Sequence, residues 1–270
     1  MAAKNIENFE INKPTTVYKA DLQRVGSIID ETLTVLSEYN EVKDWQQVKN
    51  KVISQNMMNK QSSQTIMGIL AAIHKRFFQN YEFLPSVEFL AKAVVKKFSK
   101  AIKTQLLYPY ICESDFLVKN IILNLVANKI HHSQMFLTKD EVLEFLEKEQ
   151  NSHPELRKWS EYLKKRWTRG FLAFLRDFNI MEKAPSNKLI KPSLRIETFA
   201  FFMLGLLDKN FSVKEILKNE IWHLYFLTNT EIEQFIVEMH ARGWVHYSKA
   251  GEIIELMPKF DLERWLSGLE

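Results

Sequence analysis

The chain has 270 residues and a net charge of +4, and 46% of its residues are apolar and 26% charged. This balance is typical of a soluble globular protein. Its single cysteine, Cys112, excludes an internal disulfide and a zinc cluster built on cysteines. The longest uncharged apolar run, residues 198–207, is about half of the roughly 20 residues that cross a bilayer. The chain start also lacks a signal pattern. We therefore expect a cytoplasmic protein that does not cross a membrane.

The first half of the chain predicts helices. Only 7 Gly and 7 Pro accompany 19 Phe and 6 Trp, which favours long helices around a large core. Apolar residues recur every three or four positions. The predicted helices cover residues 20–39, 45–55 after the N-cap Asp44, 62–80, 87–103 after Pro85, and 115–131. Tyr108-Pro109-Tyr110 predicts a bend between the last two.

The region from residue 138 to residue 191 has a different pattern. Thr138 and Glu141 have capping-box spacing and open a helix that runs to residue 149. Residues 156–178 are predicted to be helical, with a break near Trp159-Ser160. Two short β-like runs, 180–182 and 189–191, flank a polar loop as in a hairpin. The region is therefore predicted to contain three successive helices followed by a hairpin, which is the element order of a winged helix-turn-helix.

The tail repeats this order in part. It carries predicted helices at residues 196–207, 213–218 and 230–241, a hairpin over 244–257, and a last helix at 262–269. The whole pattern predicts a mostly α fold with winged helix-turn-helix-like units and short β-hairpins. We divide the chain into a disordered or extended N-terminus (1–17), a helical domain (18–135), a winged-helix-like DNA-binding domain (136–195) and a C-terminal helical domain with a β-hairpin (196–270).

The segment from residue 163 to residue 178 carries the functional prediction. At about 100° per residue, its aromatic residues fall in one stripe roughly 80° wide. Cations lie on the opposite side and beside the stripe, so the helix should bury its aromatics and present positive charge for phosphate or base contacts. The predicted DNA-binding residues here are Lys158, Lys164, Lys165, Arg166, Arg169, Arg176 and, on the hairpin, Lys188, with Lys183, Lys191 and Arg195 nearby. The alternative is an ordinary solvated helix face.

A second basic block lies in the first half of the chain. Lys92, Lys96, Lys100 and Lys103 fall within about 80° of each other on one continuous helix, and Lys75 and Arg76 could join them. Lysines alone suggest phosphate contacts without base recognition. Lysine is also the commonest solubilising residue on a helix, so this block fits either interpretation.

The sequence offers no catalytic motif. It lacks a P-loop, a dinucleotide-binding glycine motif and a nucleophile elbow. His131-His132 is not spaced for one metal on a helix face. Cys112 lies in an apolar stretch and is expected to be a buried hydrophobe. We therefore predict no catalytic residue, no metal, no cofactor and no small-molecule substrate.

Several stretches resemble the BrxA-like family, the A component of bacterial BREX phage-defence systems, formerly catalogued as an inner-membrane protein. They are Asp44-Trp45 to Asn56-Met57-Met58, Ile73-His74-Lys75-Arg76-Phe77, His153-Pro154-Glu155-Leu156 to Phe174-Leu175, and Ile221-Trp222-His223-Leu224-Tyr225-Phe226-Leu227 with Gly243-Trp244-Val245. The resemblance extends from about residue 18 over most of the chain. At the end of its central helix the family often has Gly where this chain has Asp177-Phe178-Asn179. Asn179 can adopt the same left-handed conformation.

This resemblance implies a mostly helical, cytoplasmic protein that binds double-stranded DNA without a cofactor and works with other defence-system proteins. One alternative is a protein-interaction adaptor that uses the acidic tail with Trp222, Tyr225 and Phe226 and does not contact DNA. A nuclease is the third hypothesis. We expect the DNA-binding subunit.

Overall fold

The computed structural model describes residues 17–251 and 253–269, with the side chain of Arg24 outside the description. The prediction for residues 1–17 therefore lies outside the described residues, Val17 apart. The fold is mostly helical, as predicted, and its described residues contain one two-stranded antiparallel sheet. The α-helices are α1 (Leu22–Val25), α2 (Ile29–Val42), α3 (Trp45–Ser54), α4 (Ser63–Phe77), α5 (Val87–Val95), α6 (Lys100–Ser114), α7 (Phe116–Ile121), α8 (Ala127–His131), α9 (Lys139–Glu149), α10 (Glu161–Asp177), α11 (Ile196–Asp208), α12 (Val213–Leu217), α13 (Glu220–Leu224), α14 (Asn229–Ala241) and α15 (Leu262–Ser267). A π-helical segment, Ile122–Val126, joins α7 to α8, and a 3-10 helix covers Pro154–Lys158.

Polar side chains at the helix starts explain many of these boundaries. The side chains of Asp44, Ser62 and Ser160 each accept a hydrogen bond from a backbone N–H of the first turn. Thr138 and Glu141 form the predicted capping box at the start of α9. These starts were predictable because a cap involves only residues three positions apart.

The helix predicted over residues 20–39 is broken. Gly26 has φ 64° and Ile28 has φ 44°, so the chain leaves the right-handed helical conformation between α1 and α2. The Arg76 guanidinium donates a hydrogen bond to the Gly26 carbonyl oxygen at 2.8 Å, which satisfies one acceptor at the end of α1. A contact from a residue 50 positions away therefore helps to hold this break.

The bend predicted at Tyr108-Pro109-Tyr110 is wrong. Pro109 lies inside α6, which continues to Ser114. The residues on both sides of Pro109 are buried, and the Tyr110 hydroxyl donates to the Pro85 carbonyl oxygen at 2.7 Å. Packing on several sides thus outweighs the hydrogen bond that proline removes from the helix.

The chain around α10 forms a small backbone-paired hairpin. The Glu182 N–H donates to the Lys188 carbonyl oxygen at 2.9 Å, and the Ile190 N–H donates to the Ile180 carbonyl oxygen at 2.7 Å. On the other side the Leu189 N–H donates to the Met135 carbonyl oxygen at 2.7 Å. Three short extended segments therefore lie side by side next to α9 and α10.

A longer hairpin closes the C-terminal part of the described chain. Strand β1 (Val245–Ala250) pairs antiparallel with β2 (Ile253–Pro258), with Tyr247 opposite Leu256. It packs on α14, and the nearly all-apolar α11 runs through the interior beside it. One cluster of buried side chains extends from Tyr18 to Leu266, so the same core supports both hairpins. Within the described residues, no helix combines the length and the apolar character needed to span a bilayer.

Candidate nucleic-acid interface

Helix α10 divides sharply into a buried and an exposed side. Trp167, Phe171, Phe174 and Phe178 are buried, as predicted. Trp167 stacks on Phe171 with ring centroids 5.3 Å apart. This aromatic stripe fixes the rotation of α10 about its axis, because turning the helix would expose it to water.

The exposed side of α10 is cationic. Lys165, Arg166 and Arg169 are exposed, and none has an ion-pair partner within 4 Å among the described residues. Lys158 is exposed at the end of the preceding 3-10 helix and is likewise without such a partner. We call these four residues the α10 cationic face. They can take an external anion because none of them is held in an ion pair within the described chain.

Tyr162 lies on the same exposed side of α10, although it was not among the residues predicted from the sequence. Its side chain is 67% exposed and stands one turn before Arg166 and two turns before Arg169. An exposed tyrosine on the same helix side as these arginines offers a hydroxyl for phosphate contacts and a ring for stacking. Its helical position, on the side of α10 away from Trp167, is the sequence feature that could have identified it.

Lys164 departs from the prediction. Its side chain is only 9% exposed, and its ammonium pairs with the Glu161 carboxylate at 2.9 Å. The hydrogen bond and the charge of Lys164 lower the pKa of Glu161. Lys164 lies toward the buried side of α10, so it is not available as a surface cation.

Arg176 is also engaged within the protein. It is half-buried, and its guanidinium donates to the Glu182 and Ser186 carbonyl oxygens at 3.2 and 3.1 Å. A third, longer contact of 3.4 Å reaches the Asn187 side-chain oxygen. All three acceptors lie on the hairpin that follows α10. Arg176 was predicted to face solvent with the other cations, but it links α10 to the hairpin instead.

The hairpin carries cations with differing surroundings. Lys183 is exposed at the loop and has no ion pair in the described chain, whereas Lys188 lies 3.4 Å from Glu182. The hydrogen bond from Ser186, with the nearby Lys188, lowers the pKa of Glu182. Lys191 is held by Glu231 at 2.6 Å. Asn179 takes the predicted left-handed conformation, with φ 57°, at the turn into the hairpin.

The second basic block does not form the predicted helix face. Helix α5 ends at Val95, Lys96 is extended, and Ser99 caps the separate helix α6. The break places Lys92 and Lys100 on different elements. The predicted single face of Lys92, Lys96, Lys100 and Lys103 is therefore wrong, because a serine N-cap starts a new helix inside the run.

Acidic or carbonyl partners engage three of the four lysines of this second block. Lys92 lies 2.6 Å from Glu263, and Lys100 lies 2.6 Å from Asp30. Lys96 donates to the Leu269 carbonyl oxygen at 2.9 Å. Of the two neighbours that could have joined, Lys75 pairs with Asp21 and Arg76 is buried.

Other candidate residues are buried. Trp222, Tyr225 and Phe226, which the adaptor hypothesis placed on the surface, are 0–2% exposed. Cys112 is fully buried as predicted, and burial raises the pKa of its thiol well above the ordinary value. No group of three or more His, Cys, Asp or Glu residues that could hold a metal ion lies within the described part of the chain.

Comparisons with known proteins agree with the sequence resemblance. The model of the BrxA family matches residues 16–204. A solved structure described as an uncharacterized protein from Magnetospirillum magneticum superimposes with a TM-score of 0.59 at 14% sequence identity, covering 77% of this chain and 97% of that one. At this identity the likeness concerns the fold alone. A search of curated proteins finds no match.

Proposed function

This chain belongs to the BrxA family and is thereby a component of a BREX phage-defence system, and from this premise we propose that it is a non-catalytic subunit that binds double-stranded DNA. In this proposal it acts in the cytoplasm together with other proteins of the system. The observation that carries the proposal is the α10 cationic face. Lys165, Arg166 and Arg169 are exposed on the side of α10 opposite the core, Lys158 is exposed in the 3-10 helix before it, and none of the four has an ion pair in the described chain.

The surrounding elements support the same proposal. An extended segment at Met135, then α9, the 3-10 helix, α10 and the hairpin follow one another, and this order resembles that of a winged helix-turn-helix. In that motif the last helix enters the major groove and the hairpin contacts the backbone or the minor groove. Helix α10 has 17 residues and is about 25 Å long, so its exposed side can follow the groove over several base pairs.

The chemistry of this face favours phosphate contacts. Each lysine or arginine that neutralises a phosphate releases condensed counterions from the duplex, which drives binding in a salt-dependent way. Arg166 and Arg169 can in addition contact guanine edges in a bidentate manner. We propose a sequence-tolerant interaction in which the α10 cationic face and Tyr162 dominate. The second surface of Lys92, Lys96 and Lys100 would contribute less, because its lysines already have partners.

Charge reversal tests this assignment. We expect Lys165→Glu/Arg166→Glu/Arg169→Glu to weaken binding to a labelled duplex of arbitrary sequence by at least about 1000-fold at low salt, since it turns three attractive charges into repulsive ones. The three residues are exposed, so we expect the circular dichroism spectrum and the melting temperature to stay near the wild-type values.

A matched control changes the net charge by the same amount elsewhere. Lys97, Lys214 and Lys218 are exposed and have no ion pair in the described chain. Replacing these three with glutamate should weaken binding far less, by about tenfold or below, through the change in net charge alone. Equal losses in the two variants would contradict the assignment of the face. Nicking of plasmid DNA by the purified wild type with Mg²⁺ or Mn²⁺ would contradict the non-catalytic role.

A further inference from the structure

Arg176 stands apart from the other cations of α10. Lys165, Arg166 and Arg169 end in solvent, whereas the Arg176 guanidinium is turned onto the hairpin loop. It donates through Nε to the carbonyl oxygen of Glu182 and through Nη2 to the carbonyl oxygen of Ser186. These two acceptors lie at the beginning and near the end of the loop, so one side chain connects both of its sides.

The loop has few other fixed points. Within it, the Ser186 hydroxyl donates to Glu182 at 2.8 Å, and the Ser186 N–H donates to the Lys183 carbonyl oxygen at 3.1 Å. Residues 183–185 at its tip are exposed. The Leu137 N–H also donates to the Asn187 carbonyl oxygen at 3.0 Å, and the Ile180 N–H donates to the Leu175 carbonyl oxygen at 2.8 Å at the base of the hairpin. The Arg176 fork adds a side-chain link from α10 to both sides of the loop.

We propose that Arg176 is a positioning residue of the DNA interface, which holds the hairpin loop where Lys183 and Lys188 extend the α10 cationic face. This inference rests on the proposed function. The planar fork of arginine matches two carbonyl acceptors that a single ammonium cannot reach in the same geometry. Lysine at position 176 would keep the charge but lose the fork. The Arg176→Lys substitution therefore distinguishes the effect of the positive charge from the effect of holding the loop in place.

The experiment compares Arg176→Lys and Arg176→Ala in two measurements. Amide hydrogen exchange of residues 179–190 in the free protein reports on the anchoring, and duplex affinity reports on binding. We expect exchange in the loop to become about tenfold faster in both variants, because each loses the fork. We expect the duplex Kd to rise by about three- to tenfold, by a similar factor in both, although Arg176→Lys keeps the positive charge.

Arg169 provides the matched control on the same helix. Arg169 is exposed and without an ion pair in the described chain, so Arg169→Lys, which keeps the charge, should weaken duplex binding less than Arg169→Ala does. Arg169→Ala should weaken binding by about five- to tenfold. Neither substitution should change exchange in the hairpin loop.

The outcomes separate the inference from the proposed function. If Arg176→Lys binds like the wild type and only Arg176→Ala is impaired, Arg176 contacts phosphate directly and the positioning role is overturned. Loop exchange that is unchanged in both variants also overturns it, even where the wild type binds DNA. A wild type that binds no duplex overturns the proposed function and the DNA role of the hairpin, while faster exchange would still establish the anchoring.

Discussion

Two regions of the chain carry nearly the same excess of positive charge and differ in what surrounds it. Residues 60–110 contain 8 basic and 2 acidic residues, and residues 154–195 contain 11 and 4. In the first region, carboxylates or a carbonyl from remote segments hold Lys92, Lys96 and Lys100. In the second, the α10 cationic face has no internal ion pairs in the described chain.

The number of charges therefore does not distinguish the two regions. Ion pairing between distant segments of the chain does. Glu263, the partner of Lys92, lies 171 positions away along the chain. An internal partner competes with an external phosphate for the same ammonium, and only a cation without one is fully available. The α10 cationic face is therefore a stronger candidate for DNA binding than the lysines of residues 60–110.

Removing the aromatic anchor of α10 should have the largest effect on the folded state. Trp167 is fully buried, so we expect Trp167→Ala to lower the free energy of unfolding by about 3–5 kcal/mol. Arg169→Ala, two positions further along on the exposed side, should change it by less than about 0.5 kcal/mol. Chemical denaturation of both variants measures the contrast, and equal effects would show that the helix is turned differently.

Tyr162 should contribute to binding on the unpaired face. We expect Tyr162→Ala to raise the duplex Kd by about tenfold, and Tyr162→Phe, which loses only the hydroxyl, by about two- to threefold. Fluorescence anisotropy with a short duplex at fixed salt measures both. The residue is 67% exposed, so the folded state should tolerate either change. Wild-type affinity in Tyr162→Ala would remove the residue from the interface.

Freeing the paired lysines should make the first region behave more like the second. Asp30→Asn together with Glu263→Gln leaves Lys100 and Lys92 without their carboxylate partners. We expect duplex affinity at low salt to rise by about threefold. Glu41→Gln with Glu82→Gln removes two exposed acids that form no ion pair in the described chain and serves as the control. Equal gains in both variants would mean that net charge alone matters.

Neutralising the paired lysines should have the smallest effect on binding. We expect Lys92→Ala/Lys96→Ala/Lys100→Ala to change the duplex Kd by less than about twofold, because these cations are already engaged. The free energy of unfolding should fall by about 1 kcal/mol in total, as expected for exposed ion pairs. Denaturation and anisotropy on the same sample check both values. A large loss of affinity would restore this region as a second DNA surface.

The sequence predicted the parts of the interface that depend on neighbouring residues. The capping boundaries, the aromatic stripe of α10 and the exposure of Lys165, Arg166 and Arg169 all follow from spacing within one helix. The DNA-binding role of these residues stays a prediction.

The sequence did not predict what depends on distant partners. Lys164 and Arg176 occupy suitable helical positions, but one is buried beside Glu161 and the other turns to the hairpin. The break between α5 and α6 was missed because the helical periodicity of Lys92, Lys96 and Lys100 continues across it. Ser99, a good N-cap, was the local signal for that break.

The most direct test of the central claim is the salt dependence of duplex binding by the wild type and by Lys165→Ala/Arg166→Ala/Arg169→Ala. If the three cations each neutralise a phosphate, the slope of log K against log salt concentration should become shallower by about 2.7 in the variant, at about 0.9 for each contact. An unchanged slope, with similar affinity at each salt concentration, would contradict the claim that the unpaired face of α10 binds DNA.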